Sequence, residues 1–205
     1  MTSRLIVPLD YPELPIALEI ADRLCTAVDW FKIGKELFTS VGPSSVQSLK
    51  KIGKSVFLDL KFHDIPNTVF GAVASATKLG ADMINVHASG GLEMMQAASL
   101  SAMDQADKLN IAKPKLLAVT VLTSIDQFAF ARDLNSSRSL SEQVVYLAQL
   151  AQQAGLDGVV ASPLEIEKIR RACGNDFWIV TPGIRPRQSV ISDQKRIMSP
   201  AEAID

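Results

Sequence analysis

Three charged side chains stand close together within residues 57–68, at Asp59, Lys61 and Asp64. This stretch begins as an apolar run typical of a buried strand. Asp59 and Lys61 are two residues apart, so on a strand both side chains point to the same face. Leaving a buried charge without its partner costs about 3–5 kcal/mol, so we expect these charges to be paired. The pattern alone fits either a structural ion pair at a strand end or a catalytic pair.

Two further charged residues at predicted strand ends, Asp10 and Lys32, are expected to join this group. Alternating lysines and aspartates keep one another ionised, because each opposite charge favours the charged form. Such a network can hold a cation against a developing carbanion and an anion near a substrate carboxylate. Neither a phosphate-binding loop nor metal-ligand spacing accompanies it. The residues therefore indicate a reaction without cofactor or metal, in which a lysine donates one proton.

Length and composition predict one domain, residues 1–205, of ordinary globular type. Of the 205 residues 47% are hydrophobic and 21% charged, and the net charge of −1 indicates neither a nucleic-acid nor a membrane-surface partner. The sequence contains no apolar run of about 18 residues, as a membrane span requires, and its start lacks a signal-peptide pattern. Cys25 and Cys173 are isolated, which favours free thiols in the cytoplasm over a disulfide scaffold.

Short apolar runs alternate with helical segments along the chain. The predicted strands are residues 4–9, 30–33, 55–61, 83–87, 115–122, 158–161 and 177–181. The predicted helices are residues 15–26, 42–53, 67–79, 89–109, 139–154 and 163–173, with the beginning of another at 199–204. Lys35 and Glu36 are expected as a solvated pair or a loop pair. Ile65-Pro66 ends the third strand, because Pro66 suits the first turn of a helix.

Seven such repeats with continuous apolar strands predict a parallel sheet covered on both faces, which is either doubly wound or a closed barrel. The first strand lacks a following G-x-G-x-x-G, which weakens a dinucleotide-binding fold. Polar residues instead lie at the C-terminal end of nearly every strand: Asp10, Lys32, Asp59 with Lys61, His87, Thr123, Ser162 and Arg185. A barrel gathers such residues into one mouth, so we predict an α/β fold, the (β/α)8 TIM barrel. At about 30 residues per unit the chain has room for seven, and the C-terminal eighth unit is expected to be missing.

The longest motif, Asp59-Leu60-Lys61-Phe62-His63-Asp64-Ile65-Pro66-Asn67-Thr68, resembles the bacterial form of the orotidine 5′-phosphate decarboxylase family. Further similar stretches are Val7-Pro8-Leu9-Asp10, Phe31-Lys32-Ile33-Gly34-Lys35-Glu36, Asn85-Val86-His87-Ala88-Ser89-Gly90-Gly91, Val119-Thr120-Val121-Leu122-Thr123-Ser124 and Thr181-Pro182-Gly183-Ile184-Arg185-Pro186. The resemblance implies decarboxylation of orotidine 5′-monophosphate to uridine 5′-monophosphate in de novo pyrimidine biosynthesis, without metal or cofactor.

The resemblance also implies a role for each matching residue. Lys61 would protonate C6 as carbon dioxide leaves. Asp59 would lie beside the substrate carboxylate and hold Lys61, while Lys32 would pair with Asp59 and reach the ribose. Asp64, the fourth catalytic residue, and Thr68 would reach the neighbouring subunit's site in a homodimer. The other implied substrate-binding residues are Asp10 at the ribose, Thr123 at the pyrimidine edge, Arg185 and Gln194 toward the phosphate, and Leu60, Phe62, His63, Ile65, Pro66 and Asn67 within the long motif.

Several alternatives stay beside this interpretation. His63 and His87 fit packing or hydrogen-bonding roles better than catalysis. A sugar-phosphate decarboxylase or aldolase-like barrel that shares D-x-K-x-x-D would use magnesium and an enediolate, but Ile65-Pro66-Asn67-Thr68 and residues 181–186 argue against it. An inactive nucleotide-binding barrel is a third interpretation, because the Gly-Arg pair with which the family's eighth strand grips phosphate is absent from the sequence.

Overall fold

The computed structural model describes residues 5–184, in which seven strands alternate with eight α-helices. The strands are β1 Ile6–Pro8, β2 Trp30–Ile33, β3 Ser55–Phe62, β4 Met83–His87, β5 Lys115–Val119, β6 Gly158–Val160 and β7 Trp178–Val180. The helices are α1 Leu14–Arg23, α2 Lys35–Val41, α3 Ser44–Lys51, α4 Pro66–Lys78, α5 Gly91–Leu109, α6 Gln127–Asp133, α7 Leu140–Gln153 and α8 Ile166–Cys173. Short 3₁₀ turns lie at Ala88–Gly90 and Pro163–Glu165.

All seven strands belong to one sheet, in the order β1-β2-β3-β4-β5-β6-β7. Each strand pairs in parallel with the next along the chain. Consecutive parallel strands with helical connections are the arrangement of a TIM barrel, so the predicted fold class is confirmed. The prediction that the C-terminal eighth unit is missing concerns residues after 184, which lie outside the described part of the chain.

The two faces of the sheet carry separate apolar clusters. Inside the sheet, Trp30, Phe57, Met83 and Leu117 form a small buried cluster, while the larger core lies between the strands and the helices. Side chains along a strand alternate between faces, so the inward face continues two residues later at Lys32, Asp59 and Asn85. Inside the sheet, the apolar layer is therefore followed by a layer of polar side chains, which lies closer to the C-terminal ends of the strands.

The structure corrects several predicted boundaries. The fifth strand, predicted to reach residue 122, ends at Val119. Lys35 and Glu36, expected as a solvated or loop pair, are exposed to solvent and begin α2, which buries Leu37 against the core. The unpredicted α6 follows Asp126, whose carboxylate accepts a hydrogen bond from the backbone N–H of Ala129 at 2.8 Å.

Two predicted strands, residues 30–33 and 83–87, match the structure in both bounds. The first strand is shorter than predicted and spans Ile6–Pro8. Within the described part of the chain, none of the helices is long and apolar enough to cross a bilayer.

Candidate active site

The third strand leaves regular pairing where the predicted site begins. Leu58 pairs with Ile84, but the next pair joins Phe62 to Val86, so β3 takes four residue steps where β4 takes two. Within this bulge Lys61 has a φ angle of 54°, in the left-handed region. That conformation costs a residue with a side chain roughly 1–2 kcal/mol, so its surroundings must hold it in place.

Asn85 of β4 contacts both ends of the Asp59–Lys61 segment. Its side chain is inaccessible to solvent. Its Oδ1 accepts a hydrogen bond from the backbone N–H of Lys61 at 2.8 Å. Its Nδ2 donates to Asp59 Oδ1 at 2.6 Å. The side-chain amide therefore takes the place of the ladder partner that the bulge removes.

Asp59 stands between two lysines. Lys61 Nζ donates to Asp59 Oδ1 at 2.6 Å, and Lys32 Nζ lies 3.5 Å from Asp59 Oδ2. Lys32 Nζ also donates to Asp10 Oδ1 at 2.8 Å. The Asp59 side chain is only 11% exposed, so little water screens these charges. The structure thus brings together four of the predicted residues in an alternating row of two acids and two bases.

Gly34 leaves the space that the Lys32–Asp10 pair occupies. A Cβ atom at this position would lie 2.8 Å from Asp10 Oδ1 and 3.0 Å from Lys32 Nζ. Both distances are shorter than ordinary van der Waals contact. Any larger residue would therefore push the two side chains apart.

Two histidines border this row of charges. The ring centroids of His63 and His87 are 5.2 Å apart. Burial lowers the pKa of His87 to about 4, helped by electrostatic interactions with His63, Lys61 and Lys35 and opposed by the interaction with Asp59. His87 is therefore neutral at pH 7, and it adds no charge to the row.

The segment from His63 to Thr68 is exposed throughout. Asp64 accepts a hydrogen bond from the backbone N–H of Ile65 at 2.6 Å, and no hydrogen bond or ion pair within residues 5–184 joins it to Lys61. Ile65 is 66% exposed despite its apolar side chain. Pro66 begins α4, and Asn67 lies beside it in the first turn. The structure thus separates Asp64 from the row of charges that it was predicted to join.

The remaining predicted substrate-binding residues lie in different places. Thr123 is buried in the loop after β5. Leu60 and Phe62 pack against the core between sheet and helices, so their side chains face away from the row of charges. Arg185 and Gln194 lie outside the described residues. No group of three or more His, Cys, Asp or Glu within residues 5–184 is placed to hold a metal ion.

Sequence reasoning assigned no role to Asn85 or Gly34. The signal for Asn85 was its place on the same strand face as Met83, where an uncharged polar residue interrupts an apolar run. Gly34 follows β2 directly and is followed by α2, and this position marked it only as a turn residue. Neither signal shows which side chains meet there.

Comparison with known proteins places these residues in a family. A family model described as "Orotidine 5'-phosphate decarboxylase / HUMPS family" matches residues 3–205. A Moorella thermoacetica protein named orotidine 5'-phosphate decarboxylase is 51% identical over 202 residues, which is 98% of this chain and 80% of that protein. A relative of the same name from Pseudoalteromonas translucida is 48% identical over 204 residues, which is 100% of this chain and 85% of that protein.

Solved structures agree with the sequence matches. The crystal structure of orotidine 5'-phosphate decarboxylase from Lactobacillus acidophilus superposes with a TM-score of 0.82 and 37% identity, covering 98% of this chain and 84% of that one. An uncharacterised conserved protein from Geobacillus kaustophilus gives a TM-score of 0.81 and 42% identity, over 86% of this chain and 82% of that one.

Proposed function

Because the chain belongs to the orotidine 5′-phosphate decarboxylase / HUMPS family, we propose that it converts orotidine 5′-monophosphate to uridine 5′-monophosphate in pyrimidine biosynthesis, without metal or cofactor. The observation that carries the proposal is the buried Asp59 carboxylate between the ammonium groups of Lys61 and Lys32. This arrangement offers fixed charges of both signs and a proton, which are the contributions that the proposed reaction takes from the protein.

The proposed reaction breaks the bond between C6 and the substrate carboxylate. Asp59 lies beside that carboxylate, and the repulsion between the two anions is relieved when neutral carbon dioxide leaves. The electron pair of the broken bond remains on C6, where the Lys61 ammonium group faces it. Lys61 then transfers a proton from Nζ to C6 and regains one from water. The hydrogen bond from Lys61 Nζ to Asp59 Oδ1 at 2.6 Å orients the donor before the reaction.

Binding of the rest of the substrate is assigned to the surrounding residues. Asp10 binds a ribose hydroxyl, and Lys32 reaches the ribose while it holds the second oxygen of Asp59. Thr123 is assigned to the pyrimidine edge, and phosphate binding is assigned to Arg185 and Gln194 on the family resemblance alone. Binding energy from the phosphate, remote from C6, lowers the barrier to decarboxylation as well as the Michaelis constant.

The test is turnover by the purified protein in the presence of a chelator. We expect uridine 5′-monophosphate and carbon dioxide in equal amounts, at a rate that EDTA does not change. The magnesium-dependent enediolate enzymes considered from the sequence would lose activity with the chelator. Loss of turnover in EDTA that magnesium restores would overturn the proposal, as would binding of the nucleotide without decarboxylation.

We further propose a cytoplasmic homodimer in which Asp64 and Thr68 contribute to the partner's site. The exposed run from His63 to Thr68 supports this, because its apolar Ile65 is unusually open to solvent and Asp64 is not engaged by Lys61. Cys25 and Cys173 are both free thiols, as expected in a reducing compartment.

Mixing two inactive variants tests the shared site. Subunits carrying Lys61→Ala and subunits carrying Asp64→Ala should regain activity together, since one site of each mixed dimer then has both residues intact. Mass spectrometry verifies that subunits exchange. Exchange without recovered turnover would show that each site uses residues of one chain only.

A further inference from the structure

We propose that Asn85 is a positioning residue, which holds the proton donor Lys61 and its partner Asp59 in their reactive arrangement. The inference rests on the function proposed above and assigns that site a residue that does not itself touch the reacting carbon. Asn85 is fully buried on the inward face of β4, and both polar atoms of its side chain are used within the site.

The first contact concerns the backbone of Lys61. Because β3 takes four residue steps between Leu58 and Phe62, the Lys61 N–H falls in the irregular part of the ladder. Asn85 Oδ1 accepts this N–H at 2.8 Å and so supports the left-handed conformation at Lys61. The direction in which the lysine side chain leaves the strand depends on that conformation.

The second contact concerns the carboxylate of Asp59. Asn85 Nδ2 and Lys61 Nζ both donate to Asp59 Oδ1, each at 2.6 Å. Two donors on one oxygen fix the carboxylate plane, and the other oxygen then faces Lys32 at 3.5 Å. A side-chain amide carries an acceptor and a donor on separate atoms, so Asn85 can accept from the backbone and donate to Asp59 at the same time, in a strand whose other buried residues are apolar.

Two substitutions separate the two contacts. Asn85→Leu removes both, and Asn85→Asp keeps an oxygen for the Lys61 N–H but loses the donor to Asp59 and adds a like charge. Thr77→Val is the control, because Thr77 is also buried and its hydroxyl bonds only to the carbonyl of Val73 within its own helix. The measurements are kcat and KM at several pH values, thermal melting, and hydrogen exchange at the Lys61 amide.

We expect Asn85→Leu and Asn85→Asp to lower kcat by about 100-fold at pH 8, the effect of a small misplacement of reacting groups, with a much smaller change in KM. The loss of kcat in Asn85→Asp, measured against the unchanged protein at the same pH, should become smaller as the pH falls. The introduced carboxyl group can donate a hydrogen bond to Asp59 once it is protonated. The ionisable residues that Asn85 contacts are Asp59 and Lys61, and Lys32 lies on the other oxygen of Asp59. Thr77→Val should keep its kcat.

The amide measurement tests the backbone contact without any turnover. Exchange at Lys61 should stay slow in Asn85→Asp and become fast in Asn85→Leu. If the unchanged protein does not decarboxylate, the proposed function fails while this comparison still tests the contact between Asn85 and the Lys61 amide. The positioning role would be overturned if Asn85→Leu kept the kcat of the unchanged protein. It would also be overturned if the kcat of Asn85→Asp, relative to that of the unchanged protein, did not change with pH. If Asn85→Leu does not fold, Asn85→Asp decides whether the positioning role holds, through the pH dependence of its relative kcat and the exchange rate of its Lys61 amide.

Discussion

Both ends of the sheet join aspartates to lysines, but they do so in different ways. At the N-terminal end, Asp82 and Asp157 directly precede β4 and β6. Each carboxylate accepts a backbone N–H from the preceding strand, at 2.8 Å for Val56 and 2.9 Å for Leu116, in addition to lysine ammonium groups. At the C-terminal end, the hydrogen-bond and ion-pair partners of Asp59 within the described chain are all side chains.

The difference separates a structural ion pair from the pair that we propose to be catalytic. Asp82 and Asp157 also continue the regular ladder, because their own N–H groups bond to the carbonyls of Val56 and Leu116. A carboxylate fixed to the backbone in this way holds two strands together. Asp59 instead belongs to an irregular strand, and its lysine partners end in groups that can move toward a substrate. Paired Asp and Lys residues therefore identify a site only together with the backbone that carries them.

The largest expected effect is that of Lys61→Ala. Loss of the proton donor and of its charge should lower kcat/KM by at least about 10³-fold, within the range known for general acids combined with fixed charges. Thermal melting should show that the fold persists. The matched control is Lys113→Ala, which removes a lysine from Asp157 at the other end and should keep turnover. Similar losses in both variants would erase the distinction between the two ends.

Asp157→Asn should reduce stability instead of turnover. Burial acts to raise the pKa of Asp157, but the Leu116 N–H and the charges of Lys113 and Lys115 outweigh it and lower that pKa below its usual value. The carboxylate therefore stabilises the fold at neutral pH, and this contribution is lost as the pH falls through the folded-state pKa.

We expect Asp157→Asn to lower the free energy of unfolding by about 2 kcal/mol at pH 7. This gap between the variant and the unchanged protein should narrow below about pH 4. Urea unfolding at a series of pH values measures this. A gap that stays constant down to pH 3 would contradict the electrostatic origin, and a fall in kcat would place Asp157 in the catalytic machinery.

Gly34→Ala should give a moderate loss of activity at the C-terminal end. The new Cβ would press on the ends of two flexible side chains, Asp10 and Lys32, so the fold can adapt while the ion pair separates. We expect kcat/KM to fall about 5–10-fold, equivalent to about 1 kcal/mol of transition-state stabilisation. Steady-state kinetics and thermal melting measure the two effects, and unchanged kinetics would mean that the pair does not act in the reaction.

The smallest effect is expected from Lys50→Met at the N-terminal end. Lys50 Nζ donates to both oxygens of Asp82, but the two side chains are 36% and 34% exposed, so water screens the pair. Removing the charge should cost roughly 0.2–1 kcal/mol of folding free energy and leave kcat unchanged. A loss above about 2 kcal/mol would show that this pair is worth more than exposed ion pairs usually are.

The regular parts of the fold follow from local sequence. Strands β2 and β4 are apolar runs with clear turn residues around them, and both were predicted with correct bounds. The end of β5 was not, because Val121 is apolar and buried although the strand has already ended. Hydrophobicity reports burial, and burial continues past the last ladder hydrogen bond. The short helices α2 and α6 lack the several turns that make a helical period visible.

The site was predictable only where charge and spacing reveal it. Asp59 and Lys61 stand out as charges in an apolar strand, and the barrel prediction then adds Asp10 and Lys32 at neighbouring strand ends. The role of Asn85 depends on the bulge in a different strand, 26 residues away in the chain. The left-handed backbone conformation of Lys61 could not be predicted either, since local sequence rarely predicts that conformation for lysine.

The bulge in β3 adds two residues to the strand, and an even number keeps the side chains on their original faces of the sheet. Leu58 before it and Phe62 after it both pack toward the helices, as Ile84 and Val86 do on the neighbouring strand. An insertion of one residue would have turned Phe62 and all that follows to the opposite face of the sheet. Two extra residues leave the inside and outside of the barrel unchanged on either side. The Asp59–Lys61 pair thus occupies a self-contained insertion, and the strands around it need no rearrangement to accommodate it.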